Sequence, residues 1–352
     1  MPIPVISAQA TALQVVQYQN TQDDNKLSKD IEILTVIRKT SDANQEHNQC
    51  SLFFYDLITD KQVSVVGKKA TIENLEMTSP LDVQPPKELL GQGFFGKVLK
   101  GLLQYKNGQQ KEVAIKTIYS KYANDEDFYN EVKALQTLEN QDHIVQFYFA
   151  LHDTSGFNCH IIMELGDIDL EEYLEFMQQH PELNINEQQL AKIGHDTFSG
   201  MLACLESNIF NLDIKPTNCV IFFSQDKIKI IDLGVLSPKK HLDDKILNTM
   251  ITQTTDSFIQ CILSKANSDH QEIQQKLRLI SLKASDDFSV SDEDKAYFKQ
   301  HIPTYVNDNS FLLQLTQGIF SGESNISDIT KAISDIKTKV GLQALTDIRH
   351  ML

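Results

Sequence analysis

With 352 residues, 41% of them hydrophobic and 23% charged, the chain can build one large two-lobed domain or two to three smaller ones. A net charge of −16 argues against nucleic acid or an anionic membrane as the main partner, and is compatible with a basic protein partner or with plain solubility. Cys50, Cys159, Cys204, Cys219 and Cys261 form no C-x-x-C pair and sit mostly in apolar runs. They fit buried thiols in a reducing, cytoplasmic compartment, not a disulfide framework or a zinc site. The start, Met1-Pro2-Ile3-Pro4, lacks the basic and apolar regions of a secretory signal, and no apolar run reaches the roughly 18 residues of a membrane span.

Residues 1–30 are polar, with one apolar patch near Leu13–Val16, and are expected to be partly ordered at best. Residues 31–37 and 51–66 are β-like. Ser51–Tyr55 and Gln62–Val66, flanking Asp60-Lys61, predict a hairpin that either extends a following sheet or forms its own module. Pro80, Pro85 and Pro86 mark a linker. Next comes Gly91-Gln92-Gly93-Phe94-Phe95-Gly96-Lys97-Val98, a glycine pattern that lets a hairpin backbone approach phosphates where a Cβ would clash. Val113-Ala114-Ile115-Lys116 predicts a strand, joined to the glycine segment by the Asn107-Gly108 turn as an antiparallel neighbour. Asn124 to Leu138 has helical periodicity, with Asn124 as cap, acidic residues at its positive end, and Phe128, Val132 and Leu135 as its apolar face. Cys159–Leu165 reads as a buried strand and Ile168–Met177 as a short helix. Asn186–Ser207 reads as a long buried helix with Leu190, Ile193, Phe198, Met201, Leu202 and Leu205 inward.

The segment 211–234 reads N-L-D-I-K-P-T-N, thirteen residues, then D-L-G. With the glycine pattern and V-A-I-K upstream in the same order, it resembles the protein kinase family, serine/threonine type, over about residues 83–338. The resemblance implies an α+β, two-lobed fold with a β-rich amino-terminal lobe and a helical carboxy-terminal lobe, the break falling near 164–168. It implies a nucleotide site of Gly91, Gly93, Gly96, Val98, Ala114 and Lys116, with Met163-Glu164-Leu165 as the adenine hinge and Met163 as gatekeeper. Glu131 is expected to pair with Lys116 and align it on the phosphates. Asp213 would act on the attacking hydroxyl, Lys215 would reach the transferring phosphoryl group, and Asn218 and Asp232 would hold Mg²⁺. In Asp142-His143-Ile144-Val145, His143 is expected to be a structural anchor.

Three departures from the family pattern stand out. Its His-Arg-Asp is here Asn211-Leu212-Asp213, so the arginine that reads a phosphorylated activation loop is replaced by Leu212, and Asn211 is expected to replace the histidine's bond only in part. Leu233 takes the place of a phenylalanine. No Ala-Pro-Glu motif precedes Thr255–Leu263, which resembles the buried helix whose aspartate, here Asp256, supports the catalytic loop. Only 23 residues lie between Asp232 and Asp256, and Asn325 stands where the partner arginine is expected. Joint loss of both halves of a buried ion pair is physically coherent.

The expected organisation is therefore an amino-terminal extension with a small β unit (1–82), a kinase-like domain (83–338) and a helical tail (339–352). The expected function is ATP- and Mg-dependent phosphorylation of protein serine or threonine, independent of activation-loop phosphate at Ser237, Thr249, Thr252, Thr254 or Thr255. Control would come from a partner protein or from residues 1–82. The alternatives are a pseudokinase scaffold and a kinase-fold enzyme acting on a small molecule. The divergence also resembles eukaryotic-like kinases that bacterial pathogens deliver into host cells.

Overall fold

The computed structural model describes residues 14–16, 31–35, 50–56, 61–66, 88–93, 96–105, 110–119, 125–153, 158–211, 213–234, 244–264, 271–287, 291–301 and 326–352. The expectations placed on the Asn107-Gly108 turn, the Asn124 cap, the proline linker, Leu212, Ser237 and Asn325 lie outside them. The chain divides into two units, one of Met1–Val132 and Gln146–Leu165, the other of Lys133–Val145 and Gly166–Leu352.

The first unit is an antiparallel sheet. Its strands are β1 (Gln14–Val16), β2 (Ile31–Thr35), β3 (Cys50–Asp56), β4 (Lys61–Val66), β5 (Leu89–Gln92), β6 (Gly96–Tyr105), β7 (Gln110–Tyr119), β8 (Phe147–Asp153) and β9 (Asn158–Glu164). Their order is β1-β2-β8-β9-β7-β6-β3-β4, with β5 also on β6. Burial alternates along β6 and β7: Leu99, Leu103, Val113 and Ile115 are buried, while Val98, Lys100, Ala114 and Lys116 between them are half-buried. That is the period-two pattern of strands with two unlike faces. β9 lies between β7 and β8, so both its edges are paired, and Ile161, Ile162 and Met163 are all buried.

The expected hairpin forms as β3 and β4, with Phe53 opposite Ser64. It is not a separate module. β6 is ten residues long and divides one edge between two partners: Lys97–Leu99 face β5, and Gly101–Tyr105 face β3. β2 pairs with β8 on the other side. Strands from the amino-terminal extension thus join the sheet on both sides.

Helix α1 (Asp125–Thr137) follows β7, with Phe128, Val132 and Leu135 buried as its spacing requires. In the second unit, β10 (Ile168–Asp169), β11 (Cys219–Phe222) and β12 (Lys227–Ile230) form a small antiparallel sheet. The helices are α2 (Leu170–Gln179), α3 (Glu187–Glu206), α4 (Asp244–Leu263), α5 (Gln271–Asp287), α6 (Asp292–His301) and α7 (Ile326–Asp335). The expected helix at Ile168 begins two residues later, because Ile168 and Asp169 pair with β11 and the Asp169 carboxylate caps α2 by accepting the Glu172 N–H at 2.9 Å.

α3 is the spine of this unit. Asn186 and Gln189 cap it reciprocally, at 2.9 and 3.1 Å. Leu190, Ile193, Phe198, Met201 and Leu205 are buried as expected, whereas Leu202 is only half-buried. A Cβ at Gly194 would overlap the Phe258 ring of α4, which stacks on Phe198 at 5.0 Å. Glycine is what lets α3 and α4 come this close.

Two boundaries differ from expectation. The helix expected over Thr255–Leu263 starts at Asp244, because Ile246, Leu247, Met250 and Ile251 extend the same buried face upstream. The expected helical tail is absent. A π-helical turn (Ile336–Val340) follows α7, Gly341 takes φ 78°, and residues 341–348 carry no helix. Gln189 of α3 donates to the Ala344 carbonyl (3.1 Å), a group a helix would use internally, while Leu345 and Ile348 are buried. Among the described residues, no helix is long and apolar enough to cross a membrane.

Candidate active site

The residues singled out in the sequence fall into two sets, one in each unit. In the first, β5 and β6 form the glycine hairpin, and the Gly93 N–H donates to the Gly96 carbonyl at 2.9 Å. Its glycines differ in kind. A Cβ on Gly96 would run into the Thr117 carbonyl of β7, so sheet packing requires glycine there. A Cβ on Gly91 or Gly93 meets nothing, so the protein's own packing does not require glycine at either position. That open space is what a close-approaching phosphate needs.

Cross-strand register gathers the remaining residues. Directly opposed residues of a sheet share a face. Val98 opposes Lys116, Ala114 opposes Met163, and Ala114 and Lys116 are two apart on β7. Val98, Ala114, Lys116 and Met163 therefore lie on one face. Lys116 Nζ sits 2.7 Å from Glu131 Oε1 of α1, with the lysine side chain 15% exposed and the glutamate 2%. Glu164 points the other way. Its carboxylate accepts the Gln146 N–H at 2.6 Å and its own N–H donates to the Gln146 carbonyl at 2.9 Å, which ties the start of β8 to the end of β9. Leu165, half-buried, ends this unit.

In the second unit, Asp213, Lys215, Asn218 and Asp232 are drawn together by hydrogen bonds. The Asp213 carboxylate receives Lys215 Nζ at 2.7 Å and Asn218 Nδ2 at 2.9 Å on the same oxygen. Asn218 Nδ2 also reaches the Asp213 carbonyl at 2.8 Å, and a 3-10 turn (Pro216–Asn218) holds it in place. The Asn218 carbonyl accepts the Ile231 N–H at 3.0 Å, which brings Asp232 alongside. Asp232 Oδ1 accepts the Gly234 N–H at 2.9 Å and shapes the turn. Leu233 is fully buried and fills the apolar place of the larger ring.

Asn211 does more than the sequence implied. It is buried, and both ends of its amide are used: Nδ2 donates to the Asp232 carbonyl at 2.7 Å, and Oδ1 accepts the Asp213 N–H at 2.9 Å. One side chain thus joins the catalytic-loop segment to the D-L-G turn. The sequence signal was there, since an amide carries both a donor and an acceptor where imidazole in one tautomer carries one of each on opposite sides.

The donor chemistry fits a hard cation. Asn218 commits its amide nitrogen to Asp213, so its oxygen is the atom available to a metal, and Asp232 adds a carboxylate. Oxygen ligands of this kind suit Mg²⁺. His143 anchors the loop after α1, with Nδ1 3.1 Å from the Ile228 carbonyl. Asp256 is half-buried on α4.

Comparison with known proteins agrees with this architecture. Residues 85–258 match the family model described as protein kinase domain. The chain is 26% identical over 176 residues to Myosin-IIIa of Homo sapiens, covering 49% of this chain and 10% of that protein. It is 26% identical over 150 residues to Cyclin-dependent kinase 1 of Encephalitozoon cuniculi, covering 42% and 48%. It is 29% identical over 154 residues to a probable serine/threonine-protein kinase, mps1, of Dictyostelium discoideum, covering 42% and 14%. The chain thus spans less than half the length of each of these relatives. With the two-lobed fold and the ordered motifs, the match identifies a protein kinase domain of the eukaryotic type over residues 85–258.

Proposed function

We propose that this protein transfers the γ-phosphoryl group of ATP to serine or threonine hydroxyls of a protein substrate, using Mg²⁺ and without phosphorylation of its own segment between Asp232 and Asp256. The observation that carries this is the arrangement at Asp213. Its carboxylate is oriented by two donors, Lys215 and Asn218, and its backbone is fixed by Asn211. A carboxylate held this way can take the proton of an attacking hydroxyl. Lys215 lies beside it, where an ammonium neutralises charge on the transferred group, and its position follows the serine/threonine pattern. Lys116, aligned by Glu131, would grip the nucleotide phosphates from the sheet face that also carries Val98, Ala114 and Met163. Mg²⁺ bound by Asn218 and Asp232 would neutralise phosphate charge.

Independence from segment phosphate has its own support. Thr252, Thr254 and Thr255 are buried on α4, and their hydroxyls donate to the carbonyls of Asn248, Met250 and Ile251 at 2.7–2.9 Å. A kinase acting in trans cannot reach them without unwinding the helix.

Nucleotide binding is the first requirement. Mg-ATP should raise the melting temperature, with about 2.7 kcal/mol of stabilisation at a hundredfold excess over Kd. Asp232→Ala should abolish the Mg-dependent part of that shift. A wild-type protein that does not respond to millimolar Mg-ATP would sink the proposal.

A further inference from the structure

Away from the D-L-G turn, four titratable side chains converge at α3. Asp196 is 1% exposed, and its Oδ2 is saturated by Lys192 Nζ at 2.8 Å and by the Ile228 N–H at 3.0 Å. Its Oδ1 faces two imidazoles, His195 Nδ1 at 3.0 Å and His143 Nδ1 at 3.8 Å. His143 Nδ1 also lies 3.1 Å from the Ile228 carbonyl. The two rings meet edge-on, with centroids 5.9 Å apart at 81°. Three separate elements supply these groups: the connection after α1, helix α3 and strand β12.

We infer that His143, His195 and Asp196, with the Ile228 carbonyl as a fourth donor, form a binding site for one Zn²⁺ ion. Bonds of about 2.0–2.2 Å to a tetrahedral ion place neighbouring ligand atoms roughly 3.3 Å apart. The separations of 3.0, 3.8 and 3.1 Å lie on both sides of that value. Two imidazole nitrogens with one carboxylate suit a borderline transition ion and do not suit Mg²⁺ or Ca²⁺. The carboxylate is already oriented through its other oxygen by Lys192 and the Ile228 amide, the supporting shell that metal carboxylates need. Lys192 brings a positive charge, but it is also held by Asp226, through the carbonyl and through the carboxylate at 3.6 Å. With neutral imidazoles, Lys192, Asp196 and Asp226 sum to one negative charge before the ion arrives. The His143 and His195 side chains are 14% and 17% exposed, so an ion can enter from solvent. Bound there, it would pin the loop after α1 and strand β12 to α3 more firmly than the hydrogen bonds alone.

The test uses the full chain without a histidine tag, in millimolar Mg²⁺ to fill oxygen-only sites. Equilibrium dialysis against micromolar Zn²⁺ should give one ion per chain, and Zn²⁺ should raise the melting temperature. Co²⁺ in its place should show the intense visible bands of a four-coordinate site. The discriminating variant is His143→Asn with His195→Asn. Asparagine Nδ2 can keep the donors to the Ile228 carbonyl and to Asp196 while removing both imidazole ligands. It should weaken Zn²⁺ binding more than about a hundredfold and abolish the Co²⁺ bands. If the double variant does not fold, His195→Asn alone should show the same loss in smaller measure. Wild type that binds neither ion, or binding that survives these substitutions unchanged, would overturn the inference and leave the cluster a hydrogen-bonded anchor only.

Discussion

Replacing Lys116 by methionine separates the chemistry of the Lys116–Glu131 pair from its contribution to folding. Two unit charges 2.7 Å apart attract by roughly 6 kcal/mol at an effective dielectric of about 20. Desolvating them costs several kcal/mol per ion, so the intact pair contributes little net stability. Breaking it is another matter. Glu131 is 2% exposed, and Lys116→Met leaves that carboxylate buried without its ammonium, a loss of about 3–5 kcal/mol. Adding Glu131→Leu removes the stranded charge and should recover most of that loss, because apolar groups of similar size replace a buried pair at little net cost. Urea unfolding of wild type, both single variants and the double variant gives the coupling energy directly. The same four proteins assayed for phosphoryl transfer should show only wild type fully active, since methionine cannot grip phosphate and leucine at 131 cannot align Lys116. If Lys116→Met unfolds at the wild-type urea concentration, the pair is not the buried ionic contact described. If the double variant transfers phosphate, Lys116 is not the phosphate-gripping residue.

Two further outcomes concern the catalytic-loop segment and its control. Asn211→Leu deletes both amide hydrogen bonds and strands the Asp213 N–H and the Asp232 carbonyl; it should cost about 2–4 kcal/mol and lower turnover, and a variant matching wild type in both would refute the linking role. Alanine at Ser237 and Thr249 should leave the initial rate within a few-fold of wild type; Thr252, Thr254 and Thr255 are kept because their buried hydroxyls bond α4 itself. Deletion of residues 1–82 removes β3 and β4 from the edge of β6 and should change the rate more; the reverse pattern would point to conventional loop phosphorylation.

Much of the fold was legible because its signals are local. The glycine hairpin and V-A-I-K each state a backbone requirement within a few residues, and the alternation on β7 follows from period two. The apolar face of α1 follows from period 3.6. What the sequence did not give was long-range. The place of the 50–66 hairpin depends on β6 being long enough to serve two partners, which only pairing across the sheet reveals. Helix α4 starts upstream of the family-like run Thr255–Leu263, and Ile246, Leu247, Met250 and Ile251 carry the helical spacing that extends it. The tail has helix-compatible residues, but Gly341 and the Gln189 side chain, distant in sequence, take it out of the helix. In the candidate site, order and spacing marked Asp213, Lys215, Asn218 and Asp232. The amide at Asn211 signals a donor and an acceptor, but the partners it joins, like the convergence of His143 with His195 and Asp196, are tertiary facts.

The central claim is that Asp213 acts on the attacking hydroxyl in transfer from ATP. The most direct measurement is incorporation of γ-labelled phosphate into mixed basic protein substrates with Mg²⁺, by wild type beside Asp213→Ala. The expected result is label on serine or threonine with wild type, and turnover lowered by about 10²–10⁴ in the variant with its Mg-ATP thermal shift retained. Equal incorporation by both proteins, or none by a wild type that binds Mg-ATP, would contradict it.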